Sequence, residues 1–353
     1  MSNPLAQDLD HILAHTDGLW DELRGQRLFI TGGTGFFGCW LLESFCWAND
    51  KLGLGASACV LTRNPDAFRA KAPHLAGHPS VRLCPGQVHD FVFPEGDFSC
   101  IIHAATESAL GSATPNPIRL FEADIQGTRH VLEFARGCRA RRFLFTSSGA
   151  VYGRQPPSLT HIPEDYPGAP DTADPLTFYG QAKRVSEYLC TSYGRQYGFD
   201  AMIARCFAFV GPYMPFDSNL AVGNFIRDAA SGGPIRVRGD GTPCRSYLYA
   251  ADLAIWLWTM LLRGRPSEVY NVGSEMAVTI ADMAREVAVI ATSGTTVVVA
   301  GVPVRGQPPA RYVPAVGRAR TSLGLEVWIP RAEGIRRTVA WHARTKCAGI
   351  SAT

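Results

Sequence analysis

Tyr179 and Lys183 stand four residues apart in Phe178-Tyr179-Gly180-Gln181-Ala182-Lys183, at the head of a run with helical periodicity, so both side chains share one helix face. A phenol near pKa 10 is a poor base at neutral pH. A lysine ammonium beside it lowers that value and can also reach a ribose hydroxyl. Thr146-Ser147-Ser148-Gly149-Ala150-Val151-Tyr152-Gly153 follows a short apolar run and offers Ser148, whose hydroxyl can share a proton with Tyr179. Ser148, Tyr179 and Lys183 are therefore the candidate catalytic set. Their chemistry would be proton transfer at a substrate hydroxyl while a hydride moves to or from a nicotinamide.

A second cluster binds rather than reacts. Leu28-Phe29-Ile30 runs into Thr31-Gly32-Gly33-Thr34-Gly35-Phe36-Phe37-Gly38, with Gly32, Gly35 and Gly38 at G-x-x-G-x-x-G spacing. The first glycine permits the tight turn, the second admits backbone amides to a pyrophosphate, and the third lets the helix pack on the strand. Phe36 and Phe37 open that helix, whose N–H groups and dipole favour an anion. The next strand ends Leu61-Thr62-Arg63-Asn64, with no acid to hold the ribose 2′-hydroxyl of NAD. Arg63 suits a 2′-phosphate, so the cofactor is NAD or NADP with NADP slightly favoured. Asp90 is expected at the adenine edge.

The elements that must position these residues follow an alternating pattern. Short apolar runs at 28–30, 58–61, 81–83, 100–102 and 143–145 alternate with helical stretches through 39–48 and 118–136, which implies βαβ units and a parallel sheet. The fold class is α/β, a Rossmann-type doubly wound parallel sheet with a smaller C-terminal α/β substrate-binding domain. The expected division is a helical extension over 1–25, a dinucleotide-binding domain over 26–204 and mainly substrate binding over 205–353.

Composition excludes other classes. The 353 residues are 46 % apolar and 18 % charged, enough for a large core and unlike a disordered chain. A net charge of +3 gives no reason to expect a nucleic-acid partner. The longest apolar stretch, 253–262, is too short to span a bilayer, so no membrane partner is expected. Ten cysteines form no C-x-x-C pair and no metal-ligand spacing, so no metal site and no redox dithiol is expected, and they read as small apolar filler. Unpaired thiols and an N-terminus without a basic or apolar leader point to the cytoplasm.

TGGTGFFG, Ile102-His103-Ala104-Ala105-Thr106, TSSGAVYG and YGQAK occur in order at the spacings of the extended short-chain dehydrogenase/reductase superfamily. The chain resembles its NAD-dependent epimerase/dehydratase branch, which acts on nucleotide sugars. The likeness continues through Arg205 to Pro212, 223–226, 239–246, 251–254 and 271–273. It implies a tightly held nicotinamide cofactor near Ala104 and Ala105, a nucleotide-diphosphate sugar as substrate, and a homodimer formed through helices 118–136 and 179–197. It also makes Ser148, Tyr179 and Lys183 the catalytic triad. Thr106, Ser148, Asn224, Arg245 and Arg311 become candidate substrate contacts, since an arginine fork matches phosphate oxygens.

The chain departs from the branch at informative places. Sequence-related 4,6-dehydratases carry Asp-Glu before V-Y-G, and glucuronate decarboxylases carry Glu there; this chain has Gly149 and Ala150. Elimination needs an acid and a base at the reacting carbon, so a 4,6-dehydratase is disfavoured. Ala150 argues against a glucuronate decarboxylase, although 180–184 and 223–226 resemble that group. Glu107 is a possible replacement acid, and Ala208 stands where the branch usually has an Asn. The expected activity is nucleotide-sugar epimerisation through a 4-keto intermediate. An NADPH-dependent 4-keto-sugar reductase is the main alternative, and a dinucleotide-sensing scaffold the non-enzymatic one.

Overall fold

A computed structural model describes residues 3–106, 116–217, 220–291 and 295–347. Helix α1 (Ala6–Ala14) precedes strand β1 (Arg27–Thr31) and helix α2 (Phe36–Leu52). Strands β2 (Ser57–Thr62), β3 (Val81–Pro85) and β4 (Cys100–His103) follow. Helix α3 (Pro117–Gly137), strand β5 (Arg142–Ser148), helix α4 (Phe178–Tyr197) and strand β6 (Asp200–Cys206) complete the alternation. Beyond them, helices α5 (Ala221–Ala230) and α6 (Ala250–Arg263) lead to strand β7 (Val269–Val272), then α7 (Ile280–Ala291) and α8 (Arg331–Cys347).

The seven strands form one parallel sheet in the order β7-β6-β5-β4-β1-β2-β3. Its order reverses at β1, which pairs with β2 on one side and β4 on the other. In such a sheet the crevice beyond the strands' carboxyl ends at this reversal is where ligands bind. Strand alternation sorts the core onto two faces. Leu28 and Ile30 join Trp40 of α2 and the fully buried Trp256 and Trp258 of α6. Phe29 joins Ile101, Phe143 and the α3 side chains Val131 and Phe134 on the other face. Helices on both faces explain why the strands read as continuous apolar runs rather than alternating ones.

The N-terminal segment is tied to the body at both of its apolar and polar positions. Leu5, Leu9 and Ile12 are buried, while Asp8 accepts from the Tyr249 hydroxyl at 2.9 Å and from Arg337 of α8. In the C-terminal part, α5 packs on α7, and Cys244–Arg245 pairs with Val278–Thr279 and Arg311–Tyr312 in a small sheet. No helix among the described residues is long and apolar enough to cross a membrane.

One difference from the sequence reading concerns the cysteines. Cys59 on β2 and Cys84 on β3 form a disulfide, with Cα atoms 6.3 Å apart. The parallel register sets Cys59 beside Arg82 and Cys84 beside Leu61, so the two thiols meet diagonally across neighbouring strands. That contact depends on pairing between elements and leaves no spacing signal in the chain. Seven other cysteines among the described residues are free and buried.

Candidate active site

The turn after β1 is built around atoms that leave no space for side chains. Gly32 has φ +70°, and a Cβ there would lie 2.5 Å from the Ala104 carbonyl carbon. A Cβ on Gly38 would come within 2.3 Å of the Gly32 oxygen, so only glycine lets α2 start this close to the strand. Gly35 caps α2 without a side-chain hydrogen bond, which directs the helix's first amides toward whatever occupies the turn. Lys71, which sequence reasoning passed over, donates to the Thr34 carbonyl at 3.0 Å and brings an ammonium to the turn.

A cavity of about 870 Å3 runs from Leu61, Thr62 and Arg63 past Gly32 and Gly35 to Ser148, Tyr179 and Lys183. Phe36, Phe37, Ala104, Ala105 and Thr106 also line it. Cradle, helix N-terminus and cavity length together fit a nicotinamide dinucleotide. At the adenosine end, Gly86 and Val88 line the wall, whereas Asp90 is exposed beside His89 at 3.7 Å. Arg63 lies at the end of β2 where the sequence places it.

At the other end, α4 carries three working positions one turn apart. Lys183 is 3 % exposed; its Nζ donates to the Thr146 carbonyl at 3.0 Å and lies 5.8 Å from the Tyr179 ring centre. Burial pushes the Lys183 pKa down, with Asp124 opposing. Burial pushes Tyr179 well above its ordinary value, and the Ser148 hydrogen bond pulls it back. Desolvation of the phenolate, rather than the Lys183 ammonium, sets the direction of the shift in this arrangement. One turn on, Glu187 accepts from the Ser147 hydroxyl at 2.5 Å and from Arg205 at 2.7 Å, bracing β5, α4 and β6 together.

Two further polar residues belong to this end and escaped the sequence reading. His103 is buried with Nδ1 2.7 Å from the Thr31 hydroxyl and Nε2 3.1 Å from that of Thr128. Burial pushes its pKa down to about 3, and nearby Lys183 acts the same way, so the imidazole is neutral. Asp124 on α3 accepts from the Thr106 hydroxyl at 3.0 Å. His103 is visible inside the Ile-His-Ala-Ala-Thr motif, but its role depends on partners from two other elements.

The candidate substrate contacts separate. Arg245 pairs in register with Tyr312, and its guanidinium carbon lies 5.6 Å from the Tyr312 ring centre. Tyr312 in turn reaches to 3.4 Å from the Ser148 Oγ. Arg311, one residue earlier on the same short strand, projects from the opposite side by strand alternation. Asn224 on α5 accepts from Arg227 at 3.3 Å, while Pro215 and Leu220 line the cavity near it. Glu107 lies outside the described residues.

A seven-stranded Rossmann sheet with a glycine turn after β1 and Ser, Tyr and Lys at the far end of one cavity defines an enzyme of the short-chain dehydrogenase/reductase type. The NAD dependent epimerase/dehydratase family matches residues 28–273, and the chain belongs to that family. Among curated proteins it is similar to UDP-glucuronic acid decarboxylase 1 of Danio rerio, at 29 % identity over 90 % of this chain and 73 % of that one. It is also similar to a dTDP-glucose 4,6-dehydratase of Streptomyces niveus, at 27 % identity over 90 % and 92 % of the two chains. Among solved structures, the dTDP-glucose 4,6-dehydratase of Streptomyces venezuelae with NAD bound superposes with a TM-score of 0.77 at 24 % identity, covering 92 % of this chain and 98 % of that one. The UDP-glucose 4-epimerase of Thermotoga maritima with UDP-glucose superposes at 0.75 and 20 % identity, covering 91 % and 100 %.

Proposed function

We propose that this enzyme epimerises a nucleotide-diphosphate sugar at C4 through a 4-keto intermediate, with Tyr179 as the acid and base. The observation that carries this reading is the chemistry around Ser148. Among the described residues, the groups nearest Ser148 are the Tyr179 and Tyr312 hydroxyls, Asp124 is held by Thr106, and Gly149 and Ala150 add no carboxylate. Glu187, the acid on the same helix, is committed to Ser147 and Arg205. Elimination needs a second acid–base pair, whereas epimerisation needs one proton relay used in both directions.

When bound, a nicotinamide supplies a two-electron acceptor and donor. The glycine turn and α2 N-terminus would hold its pyrophosphate, and Lys183 its ribose. Tyr179 takes the proton from the C4 hydroxyl oxygen as the ketone forms and returns one as the hydroxyl is restored. Ser148 shares that proton and fixes the oxygen's position. Lys183 places its ammonium 5.8 Å from the Tyr179 ring, where it would oppose the rise that burial imposes on the phenol. Arg245, over the Tyr312 ring, would meet the diphosphate. Arg63 at the adenosine side of the cavity, with no acid at Thr62, favours NADP over NAD.

The curated relatives favour a second reading, a uronate decarboxylase outcome. The same oxidation at C4 of a uronic sugar makes a β-keto acid, which loses carbon dioxide with no base at C5. Product analysis separates the outcomes for UDP-glucose, UDP-galactose, UDP-glucuronate and dTDP-glucose. An epimer of unchanged mass is expected. Loss of carbon dioxide would establish the decarboxylase, loss of water a dehydratase, and stoichiometric NADPH consumption with a 4-keto sugar a reductase. Tyr179→Phe should lower turnover about 10²–10⁴-fold with the fold intact. A variant retaining near-wild-type rates would sink the mechanism.

We also propose a homodimer through α3 and α4, whose outward positions include Ile118 at 70 % and Tyr188 at 72 % exposure. Sedimentation at micromolar concentration tests it, and a monomer would refute it.

A further inference from the structure

Tyr312 has no place in the relay described above, yet it reaches the relay's centre from 164 residues away in sequence. Its hydroxyl lies 3.4 Å from the Ser148 Oγ and donates to the Cys206 carbonyl at 3.4 Å. Its ring packs on Phe207 with centroids 4.6 Å apart and lies under Arg245. Position 149 is fitted to this ring pair. A Cβ on Gly149 would stand 2.8 Å from the Tyr312 hydroxyl oxygen and 2.7 Å from the Phe207 ring. Gly149 is outside the left-handed region, so its lack of a side chain serves the approach of the phenol rather than backbone conformation.

Ser148 thus stands between two phenols. Its hydroxyl lies 3.4 Å from the Tyr312 hydroxyl on one side, and it shares the cavity wall with Tyr179 on the other. A hydroxyl has one proton and two lone pairs, so engaging Tyr312 on one side decides what Ser148 offers Tyr179 on the other. At 3.4 Å the Ser148–Tyr312 contact is longer than the usual ~2.8 Å hydroxyl pair and has room to tighten when a substrate hydroxyl arrives.

We propose that Tyr312 is a positioning residue for the proton relay, orienting the Ser148 hydroxyl toward Tyr179, and that Gly149 is the space that lets it do so. The inference rests on the assignment of Ser148 and Tyr179 as the relay under the proposed function. Among the described residues, the groups acting on Tyr179 besides Ser148 are Lys183 on its own helix, Asp124 from α3, Cys206 from β6 and Tyr312. Those facing Tyr312 are Cys206 and Arg245. Tyr312 is the one that reaches Tyr179 through a shared hydroxyl.

The test is a double-mutant cycle on the cofactor-loaded full chain. Tyr312→Phe keeps the ring packing and removes the hydroxyl. Alone it should lower kcat about tenfold with KM within about threefold, as loss of one hydrogen bond used in the transition state predicts. In a Ser148→Ala background the same change should cost less than about twofold, because the residue it acts through is gone. Gly149→Ala, which pushes the phenol away, should reproduce the fall in kcat. The second readout needs no turnover: the 13Cζ resonance of Tyr179, assigned by its loss in Tyr179→Phe. It should move in Tyr312→Phe and stay fixed when Ser148 is already alanine. If the enzyme converts none of the nucleotide sugars, the proposed reaction fails while this resonance still tests the positioning. Equal losses with and without the Ser148 hydroxyl, or an unmoved resonance in Tyr312→Phe, would overturn it.

Discussion

His103 shows how a single buried side chain couples the site to pH. Its pKa is pushed down to about 3 by burial, against about 6.5 in an unfolded chain. The unfolded state therefore binds the extra proton first, and the His103 contribution is fully present above pH 6.5 and lost as pH falls toward 3. The stability advantage of wild type over His103→Gln should shrink by up to about 1.4 kcal/mol per pH unit below that point. Urea unfolding at pH 7, 5.5 and 4.5 measures it, and a constant difference would show that the imidazole does not titrate as argued. At this scale the sequence disclosed what is local. Tyr179 and Lys183 are four apart, and Ser148 follows its own strand. His103, Asp124 and Tyr312 escaped because their partners lie 72, 18 and 164 residues away. Contacts over such separations leave no periodicity to read.

Between elements, one close fit is where α2 leaves β1. A Cβ on Gly38 would meet backbone on both sides, the Gly32 oxygen and the Gly33 Cα at 2.3 Å, and neither can rotate away. Gly38→Ala should destabilise by about 1–3 kcal/mol, the usual cost of overpacking. It should also weaken dinucleotide binding at least tenfold by tilting the helix N-terminus, as seen by quenching of tryptophan fluorescence on titration. Unchanged affinity would mean that α2 does not hold the pyrophosphate. Strands β1 to β5 and helices α2 to α4 were legible because a sheet covered on both faces demands unbroken apolar runs, whereas β6 and β7, which complete that sheet, were not read as strands. The shape of the C-terminal part was not, since strands as short as Cys244–Arg245 and Arg311–Tyr312 are defined only by their partners. The Cys59–Cys84 bridge belongs to the same class.

Across the whole molecule, the first helix fastens to the last. Asp8 is buried and joins Tyr249 to Arg337, and α8 also carries Trp341 and Thr345 into the cavity wall. Asp8→Ala strands the buried Tyr249 hydroxyl and takes one carboxylate from the half-buried Arg337, which keeps Glu333, and should cost about 1–3 kcal/mol. It should also raise the dinucleotide Kd by loosening α8, whereas a stability loss with unchanged Kd would show that α8 holds its place without α1. The small net charge and apolar fraction had bounded only the class of molecule, and said nothing of this closure. The placement of that wall also sets a schedule for synthesis. The cradle and the strand that ends at Ser148 leave the ribosome early, and roughly two hundred residues separate Ser148 from Trp341. At about 5–20 residues per second, the emerging chain carries a formed but open dinucleotide site for some ten to forty seconds before its last wall can dock.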